Sequence, residues 1–173
     1  MLNGPLGRLL QLLLKSFAEL ARVDCFLEPR VGEKKERADV LFCLSSSLTL
    51  IDLSVVHILA PTHRAKAVKR LAVAEAAEQH KLSKYESKAK GEGKAFYPLI
   101  LETTGGMGSL GEYFLHLLCQ EISIDTARST FGGRPLPFLK SALCSRLQYC
   151  NANMQLRGAR LCRGFSCREL PRL

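Results

Sequence analysis

Two apolar segments that each enclose an aspartate constrain the fold of this chain most. The first segment covers residues 37–43 and contains Asp39, and the second covers residues 50–56 and contains Asp52. Both have the composition of β-strands, and the link at 44–49 is short and polar enough for a hairpin connection. A carboxylate inside such a strand is unfavourable unless it is paired or binds a cation. The pattern therefore predicts two neighbouring strands whose acids form one site.

The chain has the size and composition of one ordinary globular domain. It has 173 residues, of which 47% are hydrophobic and 24% are charged, as in globular rather than disordered proteins. No apolar run reaches the ~20 residues that span a bilayer, so no membrane association is predicted. The leucine-rich opening segment, residues 5–22, has helical spacing and is interpreted as an amphipathic helix rather than a signal peptide.

The cysteines argue against a secreted scaffold. There are seven, an odd number, and they are spread through apolar segments. Cys162 and Cys167 are separated by four residues, the upper limit of the C-x₂₋₄-C spacing of a zinc knuckle, and no second such pair accompanies them. We expect reduced, mostly buried thiols in an intracellular protein.

The remaining pattern predicts a mixed α/β domain. After the two aspartate strands, a segment from about His63 to Lys90 is dense in Ala, Lys and Glu and is predicted to be a helix. A third strand is expected from Phe96 to Thr103, then helices at about 110–124 and 138–151, the last continuing to about 162. The cluster at 105–108 (Gly-Gly-Met-Gly) lacks the Lys-Ser/Thr of a P-loop and is predicted to be a turn.

These elements carry a resemblance to a known family. The string Arg37-Ala38-Asp39-Val40, the second aspartate after twelve residues and the later Lys84-Tyr85 resemble the PD-(D/E)XK nuclease fold. More narrowly, they resemble the restriction-like endonuclease domain of site-specific non-LTR retrotransposons. That family pairs Lys/Arg-Pro-Asp with a second Asp about a dozen residues on, then uses Lys and Tyr of the next helix. The resemblance covers roughly residues 24–110, with Ala38 in place of the family's proline.

The resemblance implies a fold and an activity. It implies a restriction-endonuclease-like core over residues 1–133, a mixed central sheet flanked by helices, and a basic helical C-terminal extension over residues 134–173. It implies a Mg²⁺-dependent endonuclease that nicks double-stranded target DNA, with RNA as an alternative partner. It also implies a reverse transcriptase module in a longer parent protein, and an intracellular, in a eukaryote nuclear, location.

The same resemblance also implies which residues are catalytic. Asp39 and Asp52 would be the main Mg²⁺ ligands, because hydrolysis of a phosphodiester needs an activated water and neutralised phosphoryl oxygens. Ser54 stands two residues after Asp52, where many nucleases of the wider fold place a lysine. The ammonium would therefore come from the helix, from Lys84 or from Lys81 one turn earlier, beside Tyr85.

Three glutamates are candidates for the rest of the metal shell. Glu19 lies in the opening helix, where some members of the wider fold add an acid, and Glu28 is its rival. Glu102, at the end of the third strand, is a further candidate that is more typical of a structural role.

The alternatives to a metal site stay open. Asp39 can form an ion pair with Arg37 or Arg64, and Lys84 can be a solvated helix residue. The chain would then be a catalytically inactive nucleic-acid-binding remnant of the same fold, or a protein-interaction domain.

The C-terminal segment is strongly basic. From Arg134 onward it has eight basic residues and one acid, so it carries +7 of the net charge of +9. Seven of the eight are arginines, which suit bidentate contacts to phosphate. The segment is predicted to bind nucleic acid, chiefly through Arg157, Arg160 and Arg163, with a solvated helix face as the alternative.

Overall fold

The computed structural model describes residues 5–31, 36–63 and 69–162 of the chain. These residues form five helices and six strands. In chain order they are α1 (Pro5–Ala21), β1 (Cys25–Leu27), β2 (Arg30–Val31), β3 (Glu36–Arg37), β4 (Val40–Cys43), β5 (Leu48–Val56), α2 (Ala72–Gly91), β6 (Ala95–Glu102), α3 (Ser109–Gln120), α4 (Ile124–Phe131) and α5 (Pro135–Cys162).

Four of the strands form a mixed sheet in the order β1-β4-β5-β6. β1, β4 and β5 are antiparallel neighbours, and β6 is parallel to β5 after the crossover through α2. Pro98 of β6 lies opposite Asp52; a proline is tolerated there because β6 is an edge strand. The mixed α/β class with a four-stranded sheet between helices is thereby confirmed.

A second, two-stranded sheet was not predicted. β2 and β3 pair as a small antiparallel hairpin, with Arg30 opposite Arg37. Strands of two residues show no detectable alternation in a sequence, so this sheet is visible only in the structure.

The main hydrophobic core lies on one face of the sheet. α1, α3 and α5 cover this face, and Ile51 and Leu53 of β5 point into it. Three leucines of α5 are fully buried here, namely Leu139, Leu143 and Leu147. The first half of the basic extension is therefore part of the core, because its apolar residues recur at i, i+4 and i+8.

A smaller cluster lies on the opposite face, under α2. Its buried members are Ala38, Leu50, Ala89 and Phe96. Leu50 and Asp52 alternate with Ile51 and Leu53, so they share this second face of β5. α2 therefore covers the face that carries Asp52.

Several predicted boundaries differ from the structure. The helix expected from His63 begins at Ala72, because Leu71 has a left-handed backbone (φ 62°) that a right-handed helix cannot contain. The helix expected at 110–124 ends at Gln120, and a separate helix starts after Ser123, whose side chain caps it by accepting from the Thr126 amide.

The C-terminal helix agrees with the prediction. The segment expected as a helix from Phe138, continuing to about Cys162, is one continuous helix, α5. Within the described ranges no helix has both the length and the apolar character needed to cross a bilayer.

Candidate functional site

Asp52 and Lys81 form a buried ion pair between the sheet and α2. The Asp52 side chain is only 3% exposed, and its Oδ2 contacts the Nζ of Lys81, whose side chain is 18% exposed. This Oδ2 accepts no further hydrogen bond from the part of the chain that the structure describes. A buried carboxylate oxygen usually has several donors. Among the described residues, Asp52 Oδ2 therefore has the Lys81 ammonium as its partner and keeps further acceptor capacity.

Asp39 lies beside this pair, at the start of β4. Val40 pairs with Ile51, so Asp39 directly precedes the paired segment and neighbours Asp52 across the strands. Its amide donates to the Ile51 carbonyl oxygen at 3.0 Å, and its Oδ2 accepts the Leu53 amide at 2.6 Å. The side chain thus takes the place of a backbone acceptor for the Leu53 amide of β5, at the position just before β4 begins. This arrangement fixes the carboxylate against the middle of β5.

A residue of α1 completes the contacts of Asp39. Gln11 is 4% exposed, and its Nε2 donates to Asp39 Oδ1 at 3.0 Å. Gln11 is not among the site residues predicted from the sequence, although it is a polar residue inside the run Leu9-Leu10-Gln11-Leu12-Leu13. A buried amide in such a run needs a hydrogen-bond partner, and that was the available signal.

The two acids influence each other electrostatically. Burial raises the pKa of Asp39 above its usual value, and the negative charge of Asp52 raises this pKa further. The Leu53 amide and the Gln11 side chain act in the opposite direction, because both donate to the charged form. A bound cation would favour the ionised form of Asp39.

The predicted lysine and tyrosine of α2 lie next to the pair. Lys84 Nζ lies 4.7 Å from the centroid of the Tyr85 ring, and Lys81 and Lys88 lie 5.9 and 5.8 Å from it. Tyr85 packs against Phe96 of β6, with ring centroids 5.6 Å apart. Of the two candidate lysines, the structure brings Lys81 to the acid and leaves Lys84 exposed over the ring.

Glu19 and Glu102, two of the glutamates predicted for the metal shell, contact groups other than these acids. The Glu19 side chain is 64% exposed and lies 3.9 Å from Lys15 on the same helix. Glu28 is exposed, and its backbone amide donates to the Asp39 carbonyl oxygen at 2.9 Å. Glu102 is buried, and its Oε1 accepts the Ala74 amide in the first turn of α2 at 3.4 Å. Glu102 therefore acts as a helix cap in this structure.

Glu78 is a buried acid that the sequence did not reveal. It is 1% exposed, and its Oε1 accepts the Leu110 and Gly111 amides at 3.0 and 3.1 Å, at the start of α3. A side chain on Gly108 would collide with this carboxylate. Burial raises the pKa of Glu78. The glycine cluster at 105–108 is therefore a turn, and Glu78 of α2 caps the helix that follows it, α3.

The predicted nucleic-acid contacts of the basic extension fall at the limit of the structure. Arg157 and Arg160 lie in the last turns of α5, but their side chains are not described, and Arg163 lies outside the described residues. The side chains of Arg37 and Arg64, the alternative partners of Asp39, are also outside the described part.

Within the described residues, the acids at this site are Asp39 and Asp52. Among the described residues, no group of three or more His, Cys, Asp and Glu side chains converges in a way that could hold a metal ion. Mg²⁺ usually binds through one or two carboxylates and keeps several waters, so the Asp39–Asp52 pair fits its needs. Neither a scan against protein-family models nor a search of curated proteins found a match for this chain.

Proposed function

We propose that this chain is a Mg²⁺-dependent DNA endonuclease domain of retroelement origin, which nicks target DNA by phosphodiester hydrolysis. The observation that carries the proposal is the buried Asp52–Lys81 pair beside Asp39. An acid pair and an ammonium at one place on a sheet are the groups that metal-assisted phosphodiester hydrolysis requires.

The order of elements supports the proposal. The two aspartates lie at neighbouring strands, the lysine-rich helix follows as a crossover, and the next strand ends in Glu102. This is the order on which the resemblance to PD-(D/E)XK nucleases rests. A restriction-endonuclease-like core is accordingly part of the proposal.

Asp39 and Asp52 would hold the metal ion. Asp52 Oδ2 is buried with one ammonium as its partner, and each oxygen of Asp39 accepts one hydrogen bond and retains a second lone pair. When bound there, Mg²⁺ would lower the pKa of a coordinated water and neutralise charge on the phosphoryl oxygens. Asp39 is held by Leu53 and Gln11, so its carboxylate is oriented before any ligand arrives.

Lys81 is the lysine that we assign to catalysis. It is held next to the second acid, which compensates its charge while no phosphate is present. When a phosphodiester occupies the site, the ammonium would stabilise the negative charge that develops on the phosphoryl oxygens. Lys84, which is exposed on the same helix, and the partly buried Tyr85 beside it would contact the DNA backbone or a base.

A plasmid-nicking assay tests the proposal. The wild-type chain should convert supercoiled plasmid to the open circle with Mg²⁺ and not with EDTA. Asp52→Asn and Lys81→Met should each lower the rate by about 10²–10³-fold, the usual cost of losing one electrostatic contact in an active site. Lys90→Met is the matched control, because Lys90 lies on the same helix, is 71% exposed and pairs with Glu86.

The outcomes separate the competing functions. Nicking that persists in EDTA, or in Asp52→Asn, would overturn the assignment of the site. DNA binding without nicking by the wild-type chain would favour the inactive nucleic-acid-binding remnant.

A further inference from the structure

We propose that Gln11 is a positioning residue that sets the charge, and therefore the divalent-cation affinity, of the Asp39–Asp52 site. The inference rests on the proposed function, because it concerns the same site. It goes beyond that function because it gives a role to Gln11, a neutral residue of α1. At the position of Gln11, a carboxylate would be a third acid next to the metal ion.

The location of Gln11 supports this assignment. It lies on the face of α1 that packs onto the sheet, where its neighbours Leu10 and Leu14 are fully buried. Within this apolar surface it is the α1 side chain whose polar group touches Asp39. An amide buried among leucines is costly unless it is hydrogen-bonded, so the Asp39 contact accounts for its presence in the core.

The chemistry of the Gln11 amide explains how this residue affects cation affinity. Nε2 of Gln11 donates to Oδ1, whereas Leu53 donates to Oδ2, so the two donors fix the carboxylate from both ends. A glutamine adds no charge, and the site keeps two carboxylates and one ammonium. A glutamate has the same length, so it would bring a third negative charge next to Asp39. Ligand charge count is a main determinant of divalent-cation affinity at oxygen sites.

Two substitutions should move cation affinity in opposite directions. Gln11→Glu should lower the Kd for Mn²⁺ by about tenfold, because it adds a negatively charged oxygen ligand. Gln11→Met keeps the length but removes the donor, and should raise the Kd by about tenfold, the usual cost of losing a partner that orients a metal ligand. A residue with only a packing role would not tighten cation binding in either variant.

Isothermal titration of the full chain with Mn²⁺ measures both effects without any substrate. Gln79→Glu is the matched control, since Gln79 is exposed on α2 and the substitution adds the same charge. Its Kd should stay within about twofold of wild type, as expected for a solvent-screened charge. The added acid should also lower the melting temperature of Gln11→Glu without metal, and Mn²⁺ should restore it. This thermal shift provides a second measurement if the metal-free variant is partly unfolded.

The results distinguish failure of this inference from failure of the proposed function. Equal Mn²⁺ affinity in wild type, Gln11→Glu and Gln11→Met would overturn the role of Gln11 even if the wild type nicks DNA. If the wild type neither nicks DNA nor binds Mn²⁺ while Gln11→Glu binds it, the role of Gln11 stands and the nuclease assignment fails. An absence of binding in all variants would overturn both.

Discussion

The two faces of the sheet differ in what they bury. The face under α1, α3 and α5 contains the large apolar cluster, in which Phe42 and Phe114 are fully buried. The face under α2 has a small apolar cluster around Leu50 and Phe96, together with the Asp52–Lys81 pair. Hydrophobic burial scales with apolar area. We infer that the first face supplies most of the folding free energy and that the second face holds the charges.

Because of this division, the protein can bury charged side chains under α2 and still be stable. Burying ions costs several kcal/mol in general, and an incompletely compensated pair lowers stability. Asp52, Lys81 and Glu78 all lie between α2 and its neighbours. The larger apolar face offsets the cost, so substitutions on the two faces should have different effects on stability and activity.

Truncation of a core phenylalanine should have the largest effect on stability. Phe114→Ala should lower the free energy of unfolding by about 3–5 kcal/mol, because it leaves a cavity in the large cluster. Phe96→Ala, under α2, should cost less, since its cluster is small and can collapse more easily. Urea denaturation measures both. Equal costs for the two substitutions would contradict the division between the faces.

Substitutions in the Asp52–Lys81 ion pair should affect stability and nicking activity differently. Lys81→Met leaves Asp52 buried without its ammonium, and should lower the free energy of unfolding in metal-free buffer by about 1–3 kcal/mol, less than a fully buried pair because Lys81 is partly exposed. The double variant Asp52→Asn/Lys81→Met should regain most of that stability and still not nick DNA. A double-mutant cycle from urea melts measures the coupling. Additive effects of the two substitutions would show that the residues are not coupled.

Removal of the acid cap of α3 should have an intermediate effect. Glu78→Ala leaves the Leu110 and Gly111 amides without their acceptor and should cost about 1–2 kcal/mol. Glu78→Gln keeps an acceptor oxygen and should cost less. Nicking should be retained in both variants, because Glu78 caps a helix and is not a metal ligand. Loss of nicking in Glu78→Gln with normal stability would place this acid in the active site.

The same acid predicts a pH dependence. The pKa of Glu78 is raised by burial, so the unfolded state loses this proton at a lower pH than the folded state. The stability that Glu78 contributes is therefore largest below its ordinary pKa of 4.5 and falls as the pH rises through the folded value. Glu78→Gln should flatten this part of the curve of stability against pH. An unchanged curve would contradict the buried environment of the carboxylate.

The smallest effect is expected at the exposed edge of α2. Lys84→Met should change the free energy of unfolding by less than about 0.5 kcal/mol, as at most surface positions. If Lys84 neutralises one DNA phosphate, the slope of log K against log salt should become shallower by about 0.9. Filter binding at several salt concentrations measures the slope. An unchanged slope would mean that the DNA lies elsewhere.

Most of the elements and their order follow from local sequence patterns. The aspartate strands, the lysine-rich helix and the third strand were all predictable, because apolar periodicity and breaker residues are local signals. The alternation in β5 also predicted that Asp52 faces away from Ile51 and Leu53. Short elements were missed, since β2 and β3 are too brief to produce a pattern.

Which side chains meet depends on packing between elements that are distant in the chain. Helical spacing placed Lys81, Lys84 and Lys88 on one face, but the packing of α2 on the sheet brings Lys81 to Asp52. In the same way, the rotation of α1 turns Gln11 toward Asp39 and leaves Glu19 in solvent. Local sequence sets the faces of a helix, whereas contacts distant in the chain set its rotation and position. The partners of Asp39 and Asp52 therefore lie beyond what a single sequence specifies.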